Sequence, residues 1–220
     1  MILDRGDELT GAVLRESAPD YQLIRSDHGD PGLARNEAVR AASGTFVTFL
    51  DGDDLWSGNW LVNGYEFLRG CRRTTVGHSE CSIFFGSEPT IWLHADSEAE
   101  GFDPAYLRLD NYWDAMGFGE RRVYLEFPFE ANDLAAGYGH EDWLWSCVTL
   151  DAGVSHRPVP GTVHAKRRRP GSQSAKCADS DVIIRPNPLL KYAWPGPRGD
   201  PALAADADGT RQHQVSKNAG

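Results

Sequence analysis

Hydrophobic and polar positions alternate between two periods along this chain, and the switch is sharpest between residues 30 and 60. Asp30 and Pro31 suit the N-cap and first position of a helix, and Ala34, Ala38 and Ala41 recur at helical spacing behind them. Gly44 is placed to end that helix, as a residue free to take positive φ. Thr45 to Leu50 is β-branched and aromatic on both faces, which predicts a strand covered by layers on either side. Upstream, residues 8 to 18 read as a short helix and Tyr21 to Arg25 as a strand. Downstream, Leu55, Trp56, Trp60, Leu61, Tyr65 and Leu68 form a helical apolar pattern over 55 to 70. Strand material follows at Ser82–Phe85 and Thr90–Leu93, with another hydrophobic strand predicted at Arg122–Leu125. Glu141 to Leu150 reads as a helix ended by Gly153. Strands alternating with helices predict an α/β domain with a mostly parallel sheet and helices on both faces. From Trp194 periodicity gives way to Pro, Gly, Ala and Asp, so we expect a domain over 1–193 and a disordered tail over 194–220.

Composition narrows the class. The 220 residues, 40% of them hydrophobic and seven of them Trp, are enough for one sizeable core. A net charge of −10 and a pI near 5.1 argue against nucleic acid as a partner. Lys166, Arg167, Arg168 and Arg169 form a basic island that suits an anionic ligand or solvent. No stretch approaches the roughly 18–20 apolar residues of a membrane span, and no signal peptide is evident at the start. Cys71, Cys81, Cys147 and Cys177 lack zinc spacing and disulfide density, which fits free thiols in a reducing cytoplasm. The acidic run from Asp96 to Glu100 reads as a solvated loop.

The candidate chemistry sits at the end of the strand predicted over 45–50. Asp51, Asp53 and Asp54 are crowded there, and such carboxylates repel one another unless a cation neutralises them. Hard oxygen ligands suit Mg²⁺ or Mn²⁺. Glu141 and Asp142 open a helix behind a Gly-rich turn (Gly137, Gly139), where they can complement the helix dipole or act as a base.

Ala34-Arg35-Asn36, a helix, a Gly, a hydrophobic strand and Asp51-Gly52-Asp53-Asp54 resemble the nucleotide-sugar core of family 2 glycosyltransferases, which have the GT-A fold. Gly139-His140-Glu141-Asp142-Trp143 resembles that family's acceptor-side Glu-Asp motif, and Pro160 to Ser172 its basic closing segment. The resemblance covers roughly residues 1 to 175. It implies transfer of a sugar from a nucleoside-diphosphate sugar to a carbohydrate or lipid-linked acceptor, with inversion, by a cytoplasmic protein that can sit at the inner face of the membrane. Asp4, Arg35, Asp51, Arg167 and Arg169 would then bind the nucleotide sugar, and Asp53 would ligate Mg²⁺ or Mn²⁺. Asp142 would be the base, Glu141 its support, and Trp143 a face for the acceptor sugar. His164 is a further candidate ligand. Arg167 and Arg169 are expected to share one face of an extended segment and clamp the diphosphate, with Lys166 and Arg168 on the other. Against the family pattern, the chain is expected to lack an earlier strand and helix and so to be truncated at its N-terminus. A non-catalytic carbohydrate- or nucleotide-binding remnant, a metal-dependent phosphohydrolase and an interaction module remain as alternatives. Arg5-Gly6-Asp7 resembles an adhesion tripeptide by coincidence.

Overall fold

The computed structural model describes residues 2–4, 8–17, 21–87 and 89–191. Arg5-Gly6-Asp7 and the tail expected from Trp194 lie outside them. In chain order the elements are β1 (Ile2–Asp4), α1 (Glu8–Ser17), β2 (Ile24–Ser26), α2 (Pro31–Ala41), β3 (Phe46–Thr48), β4 (Leu55–Trp56), α3 (Trp60–Gly70) and β5 (Thr75–Gly86). Then come β6 (Thr90–Leu93), β7 (Phe118–Glu120), α4 (Arg121–Glu126), α5 (Glu141–Asp151), β8 (Ser155–Arg168) and α6 (Gln173–Asp179). β1 and β2 pair in parallel as a separate two-stranded sheet.

The main sheet has six strands in the order β3-β7-β5-β8-β4, with β6 also on β5. It is mixed, in place of the mostly parallel sheet expected. Only β5 and β8 run parallel within it, while β3–β7, β5–β7, β5–β6 and β4–β8 are antiparallel. For β5–β6 the reason is connection length. β5 ends at Gly86 and β6 begins at Thr90, a link that can reverse the chain but cannot carry a parallel crossover.

Helices cover both faces. Val76 of β5 joins Val39 of α2, Phe49, Val123 and Tyr124 of α4, Phe129 and Trp145 of α5 in one core cluster. Its neighbour Gly77 points the other way, where an added Cβ would come within 2.8 Å of Val159 and 3.9 Å of Leu68 of α3. Trp145 stacks on Tyr124 at 5.0 Å between ring centroids and on Phe129 at 5.1 Å, so α4 and α5 are tied by aromatic packing.

Three local expectations need correction. Residues 122–125 are helical, inside α4, and the strand is β7 just before it. Val123 and Tyr124 are adjacent and both buried, which a helix lodged in a core accommodates and an edge strand would not. α2 starts as expected, with Asp30 accepting a hydrogen bond from the Leu33 amide at 2.9 Å, but it ends before Gly44. Ala42 closes it with extended backbone (φ −68°, ψ 145°), so no left-handed residue is needed there. The 55–70 pattern also divides, with Leu55–Trp56 pairing to β8 and the helix starting at Trp60.

One side chain holds α2 against the segment leading to α5. Asn36 donates from Nδ2 to the Phe129 carbonyl at 2.8 Å and accepts from the Phe129 amide at Oδ1 at 2.9 Å. Truncation would leave both buried backbone groups unpaired. Asn36→Ala should therefore lose roughly 2–4 kcal/mol of unfolding free energy in urea titrations, and a loss under half a kcal/mol would deny this clamp its role.

Candidate active site

α2 delivers Arg35 beneath the end of β3, and the chain leaving β3 turns at once into Asp51, Asp53 and Asp54. Arg35 is buried. Its Nη1 donates to Glu141 Oε1 at 2.9 Å and its Nη2 to Asp51 Oδ1 at 3.1 Å. Burial works against the guanidinium charge, but Asp51, Glu141 and Asp142 outweigh it and raise its pKa further. The two acidic motifs, ninety residues apart in sequence, are joined by this one cation.

Both oxygens of Glu141 are engaged. Its second oxygen accepts from Asn132 Nδ2 at 2.9 Å, and the same Nδ2 and the Asn132 amide also donate to Asp30 Oδ2 at 3.0 and 2.9 Å. Gly32 permits the approach, since a Cβ there would come within 3.0 Å of both Glu141 and Phe129. Asp142 differs. Among the described residues its carboxylate accepts one hydrogen bond, from the Trp143 amide to Oδ1 at 2.8 Å. Burial and the neighbouring Glu141 push its carboxyl up to about 7, against the pull of Arg35. His140, just before α5, holds a left-handed backbone (φ 59°), which sets the angle at which both carboxylates enter.

Each aspartate of the first motif already has a protein cation. Asp51 faces Arg35, Asp53 accepts from Arg169 Nε at 2.7 Å, and Asp54 lies 3.6 Å from Lys166 Nζ. Asp54 also accepts from the Arg167 amide at 2.7 Å. Burial raises the Asp54 carboxyl, and Lys166 and that amide only partly offset it. Lys166 is the residue that the sequence reading missed. Expected on the face away from the diphosphate, it is half-buried, with its ammonium between Asp54 and Asp114, 3.6 Å from each. The signal was available: Thr162 and His164 are buried, and strand alternation puts Lys166 on their face.

The remaining expected residues fall as follows. Arg167 and Arg168 are exposed and lie over the rings of Phe85 and Phe84, at 5.7 and 4.3 Å. Trp143 is half-buried and its indole N–H is committed to the Leu107 carbonyl at 2.9 Å. Trp145 is core. Asp4 closes β1 opposite Ser26 of β2. Arg35, expected at the nucleotide, instead has both terminal nitrogens on carboxylates. The 96–100 run is more than solvated, since Asp96 and Glu98 pair with Arg157 of β8 at 3.1 and 3.2 Å.

Arg35→Gln should destabilise the fold by roughly 3–5 kcal/mol, because it leaves buried Glu141 without its counter-charge. Arg35→Met combined with Glu141→Leu should recover most of that loss in the same denaturation assay. A double variant no more stable than Arg35→Gln would show that the pair is not coupled.

Comparison with known proteins agrees with this geometry. A stretch of 64 residues is 40% identical to the succinoglycan biosynthesis protein ExoW of Rhizobium meliloti (strain 1021), covering 28% of this chain and 20% of that protein. Another of 61 residues is 33% identical to TuaG of Bacillus subtilis (strain 168), a glycosyltransferase named for teichuronic acid biosynthesis, covering 27% and 24%. The matched segments span a quarter or less of those relatives. Among solved structures, Staphylococcus aureus TarS 1–349 superposes with a TM-score of 0.53 at 16% identity, over 76% of this chain and 50% of that one. The mannosyltransferase PcManGT of Pyrobaculum calidifontis, solved with GDP-Man and Mn²⁺, gives 0.52 at 16% identity, over 79% and 49%. GalNAc-T7, solved with UDP, GalNAc and Mn²⁺, gives 0.53 at 15% identity, over 82% and 40%. These likenesses show the GT-A fold. The model of the family described as Glycosyl transferase family 2 matches residues 1–131, more than half of the chain, and the chain belongs to that family.

Proposed function

We propose that this protein transfers a sugar from a nucleoside-diphosphate sugar to a carbohydrate or lipid-linked hydroxyl acceptor, with inversion, and that Asp142 is the base. One observation carries the reading: of the two adjacent acidic residues at the start of α5, Glu141 has both oxygens occupied and Asp142 does not. A base needs a free oxygen and a pKa near the working pH, and Asp142 offers both. Glu141, held by Arg35 and Asn132, is the brace.

In this reading the acceptor oxygen forms its bond to the anomeric carbon as Asp142 removes its proton, and the electron pair of the breaking bond leaves with the diphosphate. Asp51, with its side chain 43% exposed beside Arg35, keeps an open side for the ribose or base. Asp4 and Arg167 are further nucleotide-side candidates. Trp143, locked by its indole hydrogen bond, would offer its exposed part to the acceptor sugar.

A divalent ion fits one of the three aspartates. Asp54 is enclosed by Lys166 and the Arg167 amide, whereas Asp53 is partly exposed and its partner Arg169 is a surface side chain, free to exchange the carboxylate for phosphate. Asp53 would hold Mg²⁺ or Mn²⁺, hard ions suited to its oxygens. When bound, such an ion supplies positive charge to the departing diphosphate. Arg169 and Arg167 would supply the rest. Among the described residues no helix is long and apolar enough to cross a membrane, so a lipid-linked acceptor would be met at the bilayer surface.

Transfer assays on a purified chain with nucleotide-sugar donors test the base. Asp142→Asn should retain donor binding by calorimetry and lose about 10²–10⁴-fold in rate, with Glu141→Gln milder if it folds. Parental transfer rates in Asp142→Asn would sink the assignment, and donor binding without any transfer by the parent would favour the remnant.

The pH profile is a separate test. Asp142 must be ionised to accept a proton and its carboxyl is raised, so kcat/KM should climb with pH through about 7 and then level. A flat profile from pH 5 to 8 would exclude this group. For the metal, Asp53→Ala should abolish the Mn²⁺-dependent part of UDP or GDP binding, while unchanged affinity in a folded variant would remove Asp53 as ligand.

A further inference from the structure

Behind the aspartate motif, on the inner side of Lys166, lies a buried polar cluster that the transfer reaction does not use. It consists of His78 and Ser82 on β5, His94 just after β6, Asp114 before β7, and His156 on β8, all buried. A ligand atom from each of His78, His94 and Asp114 lies within 4.8 Å of the other two. Asp114 Oδ1 accepts from the Met116 amide at 3.0 Å, and the carbonyl acceptors around the rings are consistent with one set of donors and acceptors.

Thr149 Oγ1 lies 2.7 Å from the Trp145 carbonyl, which can only accept, and with its proton there it accepts from His156 Nε2 at 2.8 Å. His156 therefore carries its proton on Nε2 and accepts at Nδ1 from His78 Nε2, 3.0 Å away. That leaves a lone pair on His78 Nδ1, which is buried and has no partner. On the other side, His94 Nδ1 lies 2.9 Å from the Ser79 carbonyl and must donate, which leaves a lone pair on His94 Nε2. Ser82 Oγ lies 3.4 Å from that nitrogen and directs its own proton to Asp114 Oδ2 at 2.9 Å. The cluster thus gathers two imidazole lone pairs and a carboxylate with no proton between them. Burial lowers the pKa of both histidines, keeping the rings neutral. For Asp114, burial alone would raise the carboxyl, but the Lys166 ammonium outweighs it and holds it well below the usual carboxylate range.

We propose that His78 Nδ1, His94 Nε2 and Asp114 form a site for a borderline transition-metal dication of the Zn²⁺ class, separate from the hard-ion position at Asp53. Imidazole nitrogens with one carboxylate suit Zn²⁺ or Co²⁺ and not Mg²⁺. The shell around the ligands is of the kind that orients metal-binding histidines, with a backbone carbonyl on His94 Nδ1 and an imidazole on His78 Nε2. Ligands at about 2.0–2.2 Å from a tetrahedral ion stand roughly 3.3–3.5 Å apart, so small side-chain rotations close the triad. Lys166 does not block it, because its ammonium contacts Asp114 and Asp54 together and marks the boundary toward the aspartate motif. The ion would pin β5, the chain after β6 and the chain before β7 to one another, giving the sheet a cross-link at its centre.

The chelator-stripped chain is titrated with Co²⁺ and then Zn²⁺, following visible absorption, bound metal by elemental analysis, and thermal unfolding. The expected result is one equivalent of Co²⁺ with the intense d–d bands of low-coordinate cobalt, displaced by Zn²⁺, and a higher unfolding temperature with metal. His94→Ala and Asp114→Asn should lose the spectrum while Asp53→Ala keeps it. Circular dichroism checks that each variant is folded, and if either is not, the parental spectrum and stoichiometry decide alone. No stoichiometric uptake by the parent, octahedral Co²⁺ only, or an unchanged spectrum in folded His94→Ala would each overturn the site.

Discussion

A single buried guanidinium holds the two acidic motifs in register. Arg35 lies under both the end of β3 and the start of α5, and its two terminal nitrogens go to Asp51 and Glu141. Removing such a charge from water is costly, and only close, well-directed carboxylates offset it. That constraint extends outward. Glu141 needs Asn132 for its other oxygen, Asn132 needs Asp30, and Asp30 also caps the helix that carries Arg35. The circuit closes on itself, so the helix start, the strand end and the second motif cannot shift independently. Asn36, one residue along, fastens the same helix to Phe129.

The aspartate cluster follows different electrostatics from those suggested by its composition. Three carboxylates in four residues suggest a need for one external cation, but the fold supplies Arg35, Arg169 and Lys166, one for each. The three partners are not equivalent. Arg35 is buried and Lys166 half-buried, whereas Arg169 is exposed at the rim. Asp53 is therefore the aspartate whose protein cation is most easily displaced, whereas the cations facing Asp51 and Asp54 are held in place.

Much of this was legible where the information is local. Asp30, Pro31 and the alanine spacing mark α2, the β-branched run marks β3, and Glu141 to Gly153 marks α5 with its left-handed glycine (φ 87°) at the end. The GT-A core was legible because its motifs fall in order along the chain. What failed was non-local. Strand direction depends on links such as the one between β5 and β6, and Val123–Tyr124 is too short an apolar pair to reveal its period. Lys166 follows the parity of its strand and not its charge, and the contacts of Arg35 with Asp51 and Glu141 join segments that are distant in sequence. The histidine cluster draws on three separate strands or their flanks, and no spacing in the sequence announces it.

The β5–β8 ladder has a consequence for how the protein is made. Thr75 pairs with Ser155 and Gly86 with Arg168, so the central parallel pairing joins segments about eighty residues apart. During synthesis β5 emerges long before its neighbour, and until then one edge of a twelve-residue strand is open. Lys166 arrives on the same late strand, so Asp54 and Asp114 have no ammonium between them until that pairing forms. Closure of the ladder and neutralisation of the pocket floor are then one event. Such a topology folds slowly and, on a ribosome or after dilution from denaturant, is most exposed to mispairing just before its last long strand docks.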